Sequence, residues 1–161
     1  MSKTLYVGID PHQKENFCCL LDQEGNKVIN VFSVANNLEG AKELEDRIDL
    51  IMKEHCFTEL KAATEAVSFL DLHIVDYLAS SNLLSKYSPS IYQFNPKITS
   101  GFKKAYPDKD KTDAIDAFVV ADRLRFGRLP EPYEESQPYF PLKRLTRYRY
   151  HLVSNISREK N

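Results

Sequence analysis

Cysteine and glycine are both scarce in this 161-residue sequence, with three of the first and five of the second. Three cysteines without a C-x-x-C pair offer neither a disulfide framework nor a structural zinc site. Cys18 and Cys19 are neighbours in a strand-like segment, which sends their side chains to opposite faces. His55-Cys56 likewise lacks metal-ligand spacing. The few glycines leave no second phosphate-binding turn, so an actin-like ATPase is disfavoured even though Gly8-Ile9-Asp10 would suit one. Also missing are an apolar run long enough to cross a bilayer and a basic leader followed by an apolar core. These absences point to a reduced, cytoplasmic protein with no membrane association. No Ser-His-Asp arrangement, internal repeat or low-complexity tract is recognisable.

A strong charge imbalance is lacking too, since the net charge is −1. That average hides an asymmetry: residues 141–161 carry +5, leaving −6 for residues 1–140. Lys143, Arg144, Arg147 and Arg149 alternate with Tyr148 and Tyr150, a composition suited to phosphate neutralisation and stacking. A solvated helix face explains the same residues equally well.

With 42% hydrophobic residues, the chain can bury one core. Thr4 to Ile9 reads as a strand ended by Asp10-Pro11, because proline cannot continue a central ladder. Asn16 to Leu21 is a second strand, Asp22 to Asn26 a hairpin turn, and Val28 to Val34 a third strand. A helix follows, with Asn36 and Glu39 at capping-box spacing and Leu38, Ala41, Leu44, Ile48 and Ile51 as its apolar stripe. Leu60 to Val67 is a fourth strand, Ser68 and Asp71 open a helix to about Ala79, and Ser90 to Phe94 is a fifth strand closed by Asn95-Pro96. The basic segment from Lys97 to Lys111 reads as a short helix and a mobile loop. Thr112 caps a helix to about Phe126, with Ile115, Phe118, Val119 and Ala121 as its stripe.

The order β-β-β-α-β-α-β implies a mixed α/β sheet, antiparallel first and then parallel through helical crossovers. An RNase H-like fold of five strands flanked by helices has this order. The domain is expected over residues 1–127, and residues 128–141, rich in proline, read as a linker. Residues 142–161 begin a C-terminal helical extension with apolar positions Leu142, Leu145, Leu152 and Ile156. Its pattern is still running at Asn161, so a truncated helix is expected.

Phosphoryl transfer assisted by two metal ions needs several carboxylates at one place, because Mg²⁺ takes hard oxygen ligands. Asp10 and Glu65 end strands that should run parallel, and so fall on one sheet edge. Asp113 and Asp116, three apart, share a helical face. Taken singly, each has an ordinary explanation: a turn before proline, an exposed strand face, or acids favouring a helix N-terminus. His12 reads as a surface turn residue that could touch substrate or metal.

Val7-Gly8-Ile9-Asp10, the strand bearing Glu65, Phe94-Asn95-Pro96 and Lys111-Thr112-Asp113-Ala114-Ile115-Asp116-Ala117 together resemble the DEDD transposases of the insertion-sequence one-ten family and the related Piv-type DNA invertases. The resemblance spans roughly residues 4–127, and Lys-Thr-Asp-x-x-Asp-Ala is its most specific part. It implies a RuvC-like domain in which Asp10, Glu65, Asp113 and Asp116 bind Mg²⁺ or Mn²⁺ and act catalytically on DNA. Glu65 is followed by Ala66-Val67-Ser68, which departs from the family's usual Glu-Ala/Ser-Thr-Gly. The resemblance further implies a coiled-coil helix serving oligomerisation, a serine nucleophile in a C-terminal domain absent from this chain, and in many members a guide (bridge) RNA. Nucleic acid is expected on Lys103, Lys104, Lys111, Lys143, Arg144, Arg147 and Arg149. Two alternatives stay open: a stand-alone RuvC-like nuclease for branched DNA, and a non-catalytic nucleic-acid-binding or oligomerisation module.

Overall fold

In the computed structural model the described residues are 3–66, 70–106, 112–133 and 140–160, with the side chains of residues 140, 143 and 144 excepted. Five strands form one sheet in the order β3-β2-β1-β4-β5: β1 (Thr4–Pro11), β2 (Glu15–Leu21), β3 (Phe32–Ala35), β4 (Glu59–Glu65) and β5 (Ser90–Phe94). The pairs β1/β2 and β2/β3 are antiparallel, whereas β1/β4 and β4/β5 are parallel. The expected mixed sheet is therefore present. Among the described residues the α-helices are α1 (Leu38–Glu54), α2 (Leu72–Ala79), α3 (Pro96–Lys103), α4 (Asp113–Phe126) and α5 (Phe140–Glu159).

Period-two alternation sorts the strand residues between the two faces. Leu5, Val7 and Ile9 join Leu60, Ala62 and Ile91 in a large core with Leu44 and Ile48 of α1 and Ile74 and Leu78 of α2. On the opposite face, Ala63, Tyr92 and Phe94 pack with Val120 and Leu124 of α4, and Cys19 and Leu21 pack with Ala117 and Ala121. Here α4 lies directly on β1 at Gly8. A Cβ on Gly8 would come within 2.3 Å of the Ala117 carbonyl oxygen and the Ala121 nitrogen, so no side chain fits.

Several sequence expectations need correction. β1 continues through Pro11, which pairs with Asn16 on β2. The parallel pairing with β4 stops at Ile9↔Thr64, so Pro11 occupies an edge-like position where its missing N–H costs no ladder bond on that side. The third strand is Phe32–Ala35 rather than Val28–Val34: after one bridge at Leu21↔Lys27 the chain leaves the ladder. Val28 still donates its N–H to the Leu20 carbonyl at 2.9 Å, and its packing on the core with Ile29 explains the apolar character of both. The fourth strand ends at Glu65, before Val67.

Asn37, and not Asn36, caps α1, its side chain accepting from the Gly40 nitrogen at 2.9 Å. Asn36 is drawn into another role: its Nδ2 donates to the His12 and Leu70 carbonyls, and its Oδ1 accepts from Asn16 Nδ2. Asp71 stands immediately before α2 without a side-chain capping bond. Its carboxylate accepts from Gln93 on β5, while Ser68 lies outside the described residues. The buried stripe of α4 is Ala117, Val119, Val120, Ala121 and Leu124, with Ile115 and Phe118 only half-buried. The Thr112 cap, accepting from the Ile115 nitrogen, and the end of α4 at Phe126 match the sequence reading.

After α4, the chain returns to the sheet at β5. Tyr133 donates its backbone N–H to the Ile91 carbonyl at 2.6 Å, packs on the main core and bonds Asp76 through its hydroxyl. α5 shows Leu142, Leu145, Leu152, Val153 and Ile156 exposed. Among the described residues, no helix is long and apolar enough to cross a membrane.

Candidate metal centre

Asp10 alternates with Tyr6 and Gly8 and so faces α4; Glu65 alternates with Lys61 and Ala63 and faces the same way. Because β1 and β4 are parallel, both acids arrive at one edge. The first turn of α4 brings Asp113 and Asp116 to that edge, held there by the backbone approach over Gly8. The small Ala117 is one of the contact points.

Asp10, Glu65 and Asp116 line one pocket of about 290 Å³. Its other wall is α3, whose Thr99, Ser100 and Lys103 fall on a common helical face. A water occupies roughly 30 Å³ in the liquid, so the space suffices for a hydrated ion. Asp113 joins through His12: His12 Nε2 lies 3.1 Å from Asp10 Oδ2 and 3.4 Å from Asp113 Oδ1. One potential ligand atom from each of Asp10, His12 and Asp113 falls within 4.8 Å of the others. Asp10 thus belongs to both groupings.

Burial pushes the Asp10 carboxyl up to about 6, against the opposing effect of His12 and with the help of the nearby Asp116 and Glu65 charges. Its side chain is only 12% exposed, whereas that of Asp113 is 52% exposed. A buried acid among acids is a poor place for negative charge unless a cation is supplied. Within the pocket lining, that cation is Lys103, whose ammonium bonds Asp116. Carboxylate oxygens gathered in this way form a donor set that can hold a divalent cation.

Thr99 and Ser100 were not read from sequence as parts of this site, whereas His12, read as a surface turn residue that could touch substrate or metal, stands between two of its acids. A signal for His12 existed, since two residues past Asp10 in extended backbone is the same face. Lys103, expected on nucleic acid, points at Asp116, and Lys104, Arg147 and Arg149 are exposed. Lys111 and the side chains of Lys143 and Arg144 lie outside the described residues.

The architecture is similar to that of solved structures. Thermus thermophilus RuvC is 10% identical, with 80% of this chain and 99% of that one covered and a TM-score of 0.53. T. thermophilus RuvC in complex with Holliday junction substrate is 12% identical, with 81% and 99% covered and a TM-score of 0.52. At such identity the likeness shows the fold, which is RuvC-like. No curated protein matches the chain. The sequence model of the IS110-type DEDD transposases, described as "Transposase", matches residues 7–161. Since that match takes in both acid-bearing strands and all of α4, the chain belongs to the IS110 family of DEDD transposases.

Proposed function

We propose that this chain is the metal-dependent catalytic domain of a DNA transposase, acting on phosphodiester bonds during transposition. The observation that carries this reading is the convergence of Asp10, Glu65 and Asp116 on one pocket, with Asp113 tied to Asp10 through His12. A divalent ion, Mg²⁺ or Mn²⁺, would be held by these four carboxylates and would supply Lewis-acid charge at the attacking and leaving oxygens of the phosphodiester.

The chain's own residues do the rest. Burial raises the Asp10 carboxyl to about 6, so a cation bound there displaces a proton only as the pH falls toward and below that value. His12 orients the Asp10 and Asp113 carboxylates, and Asn36 holds the His12 backbone through its carbonyl. DNA is the proposed substrate, with Lys104, Lys111, Lys143, Arg144, Arg147 and Arg149 as phosphate contacts outside the pocket. A serine nucleophile and a guide RNA, both implied by the family resemblance, belong to this proposal. So does oligomerisation through α5, whose apolar residues lack cover among the described residues.

Calorimetric titration with Mn²⁺ tests the reading. The wild-type chain should bind, and Asp10→Asn and Asp113→Asn should each weaken binding at least tenfold. Undiminished binding in both variants would sink it.

A further inference from the structure

Lys103 differs from the other basic residues expected to meet nucleic acid. It leaves the last turn of α3 toward the acid pocket, and its ammonium bonds Asp116 Oδ1. The two side chains are 28% and 23% exposed, so the pair is neither sealed in the core nor loose on the surface. The neighbouring Lys104 is exposed and does not line the pocket. The α3 backbone beneath Lys103 is well anchored: Asn95 caps its start, and buried Thr99 donates to the Pro96 carbonyl.

Resting on the metal-centre reading above, we propose that Lys103 is a resident cation of the acid pocket. It holds Asp116 in the metal-free chain and gives that carboxylate up when a divalent cation is bound. The reasoning is electrostatic. Asp10, Glu65 and Asp116 share one pocket, and their mutual repulsion favours any cation that can reach them. A lysine ammonium is a compact charge on a flexible four-carbon stem, able to enter and leave without moving α3. A monocation and a dication competing for one carboxylate repel each other over a few ångströms, so Lys103 lowers the pocket's affinity for metal.

The test compares the wild-type chain with Lys103→Met and Lys104→Met, titrating each metal-free protein with Mn²⁺ and reading free Mn²⁺ by electron paramagnetic resonance. Lys103→Met should bind roughly fivefold or more tightly, and Lys104→Met within about twofold of wild type. Equal tightening by both variants reduces the effect to general surface charge and overturns the proposal. So does unchanged or weaker binding by Lys103→Met. If the wild-type chain and both variants bind no Mn²⁺, the metal-centre reading falls as well.

A second measurement needs no substitution. Acetylation of wild-type lysines, followed by mass spectrometry, should show Lys103 reacting several-fold faster at saturating Mg²⁺ and Lys104 unchanged. Lys103 reactivity that stays level or falls overturns the proposal.

Discussion

On one face of the sheet, Leu5, Val7, Ile9 and Leu60 meet the leucines and isoleucines of α1 and α2 in a continuous apolar core. On the other face, α4 rests on β1 through Gly8, Ala117 and Ala121, between two smaller clusters. The first face buries bulk. The second brings backbone against backbone and thereby sets where the first turn of α4, with its acids, stands. Stability and placement of the acids are thus assigned to opposite sides of the same strand, β1.

Substitutions on the two faces should therefore fail differently. Leu44→Ala, in the large core, should cost about 2–5 kcal/mol in urea denaturation yet leave Mn²⁺ affinity within twofold of wild type. Gly8→Ala should cost about 1–3 kcal/mol through overpacking and weaken Mn²⁺ binding as α4 is pushed off the sheet. A Gly8→Ala chain with native metal affinity would break the comparison.

Removing charge from the acid end should have the opposite sign. The folded-state value of Asp10 is raised from 3.8 to about 6, so its stabilising contribution is complete below about pH 3.8 and is lost as pH rises through 6. At pH 7.5 without metal, Asp10→Asn should therefore raise stability by about 1–3 kcal/mol, an advantage that fades toward pH 4 in thermal scans.

The core face carries a smaller effect of the other kind. Burial alone would raise Asp49, but hydrogen bonds from Lys53, Lys86 and Tyr87 outweigh it and bring the group down to about 2. Its contribution is present above the unfolded value of 3.8 and is lost as pH falls through 2. Because Lys53 and Lys86 are well exposed, screening holds this to about 1 kcal/mol. Asp49→Asn should flatten the acid limb of the stability curve by that amount.

What the sequence revealed followed local punctuation. Asn95-Pro96 after β5 and Thr112 before α4 act through bonds within a few residues, and those boundaries were legible. Where neighbours compete, tertiary contacts decide. Asn36 and Asn37 are chemically identical candidates for the α1 cap, and the choice rests on Asn36 reaching Asn16, His12 and Leu70. Val28 and Ile29 carry a strand-like pattern because they touch the core, although neither lies within a strand. The acids could be read from strand ends and helical spacing. The direction of Lys103 could not, because it depends on how α3 lies against α4.

The return of the chain along β5 has a consequence for solubility. A sheet edge with unpaired backbone groups invites another strand, and β5 is such an edge. Tyr133 occupies part of it, its backbone N–H taken up by Ile91 and its ring laid on the core. At the other edge, β3 is only four residues long and offers little template. Tyr133 therefore also shields part of that edge from a further strand.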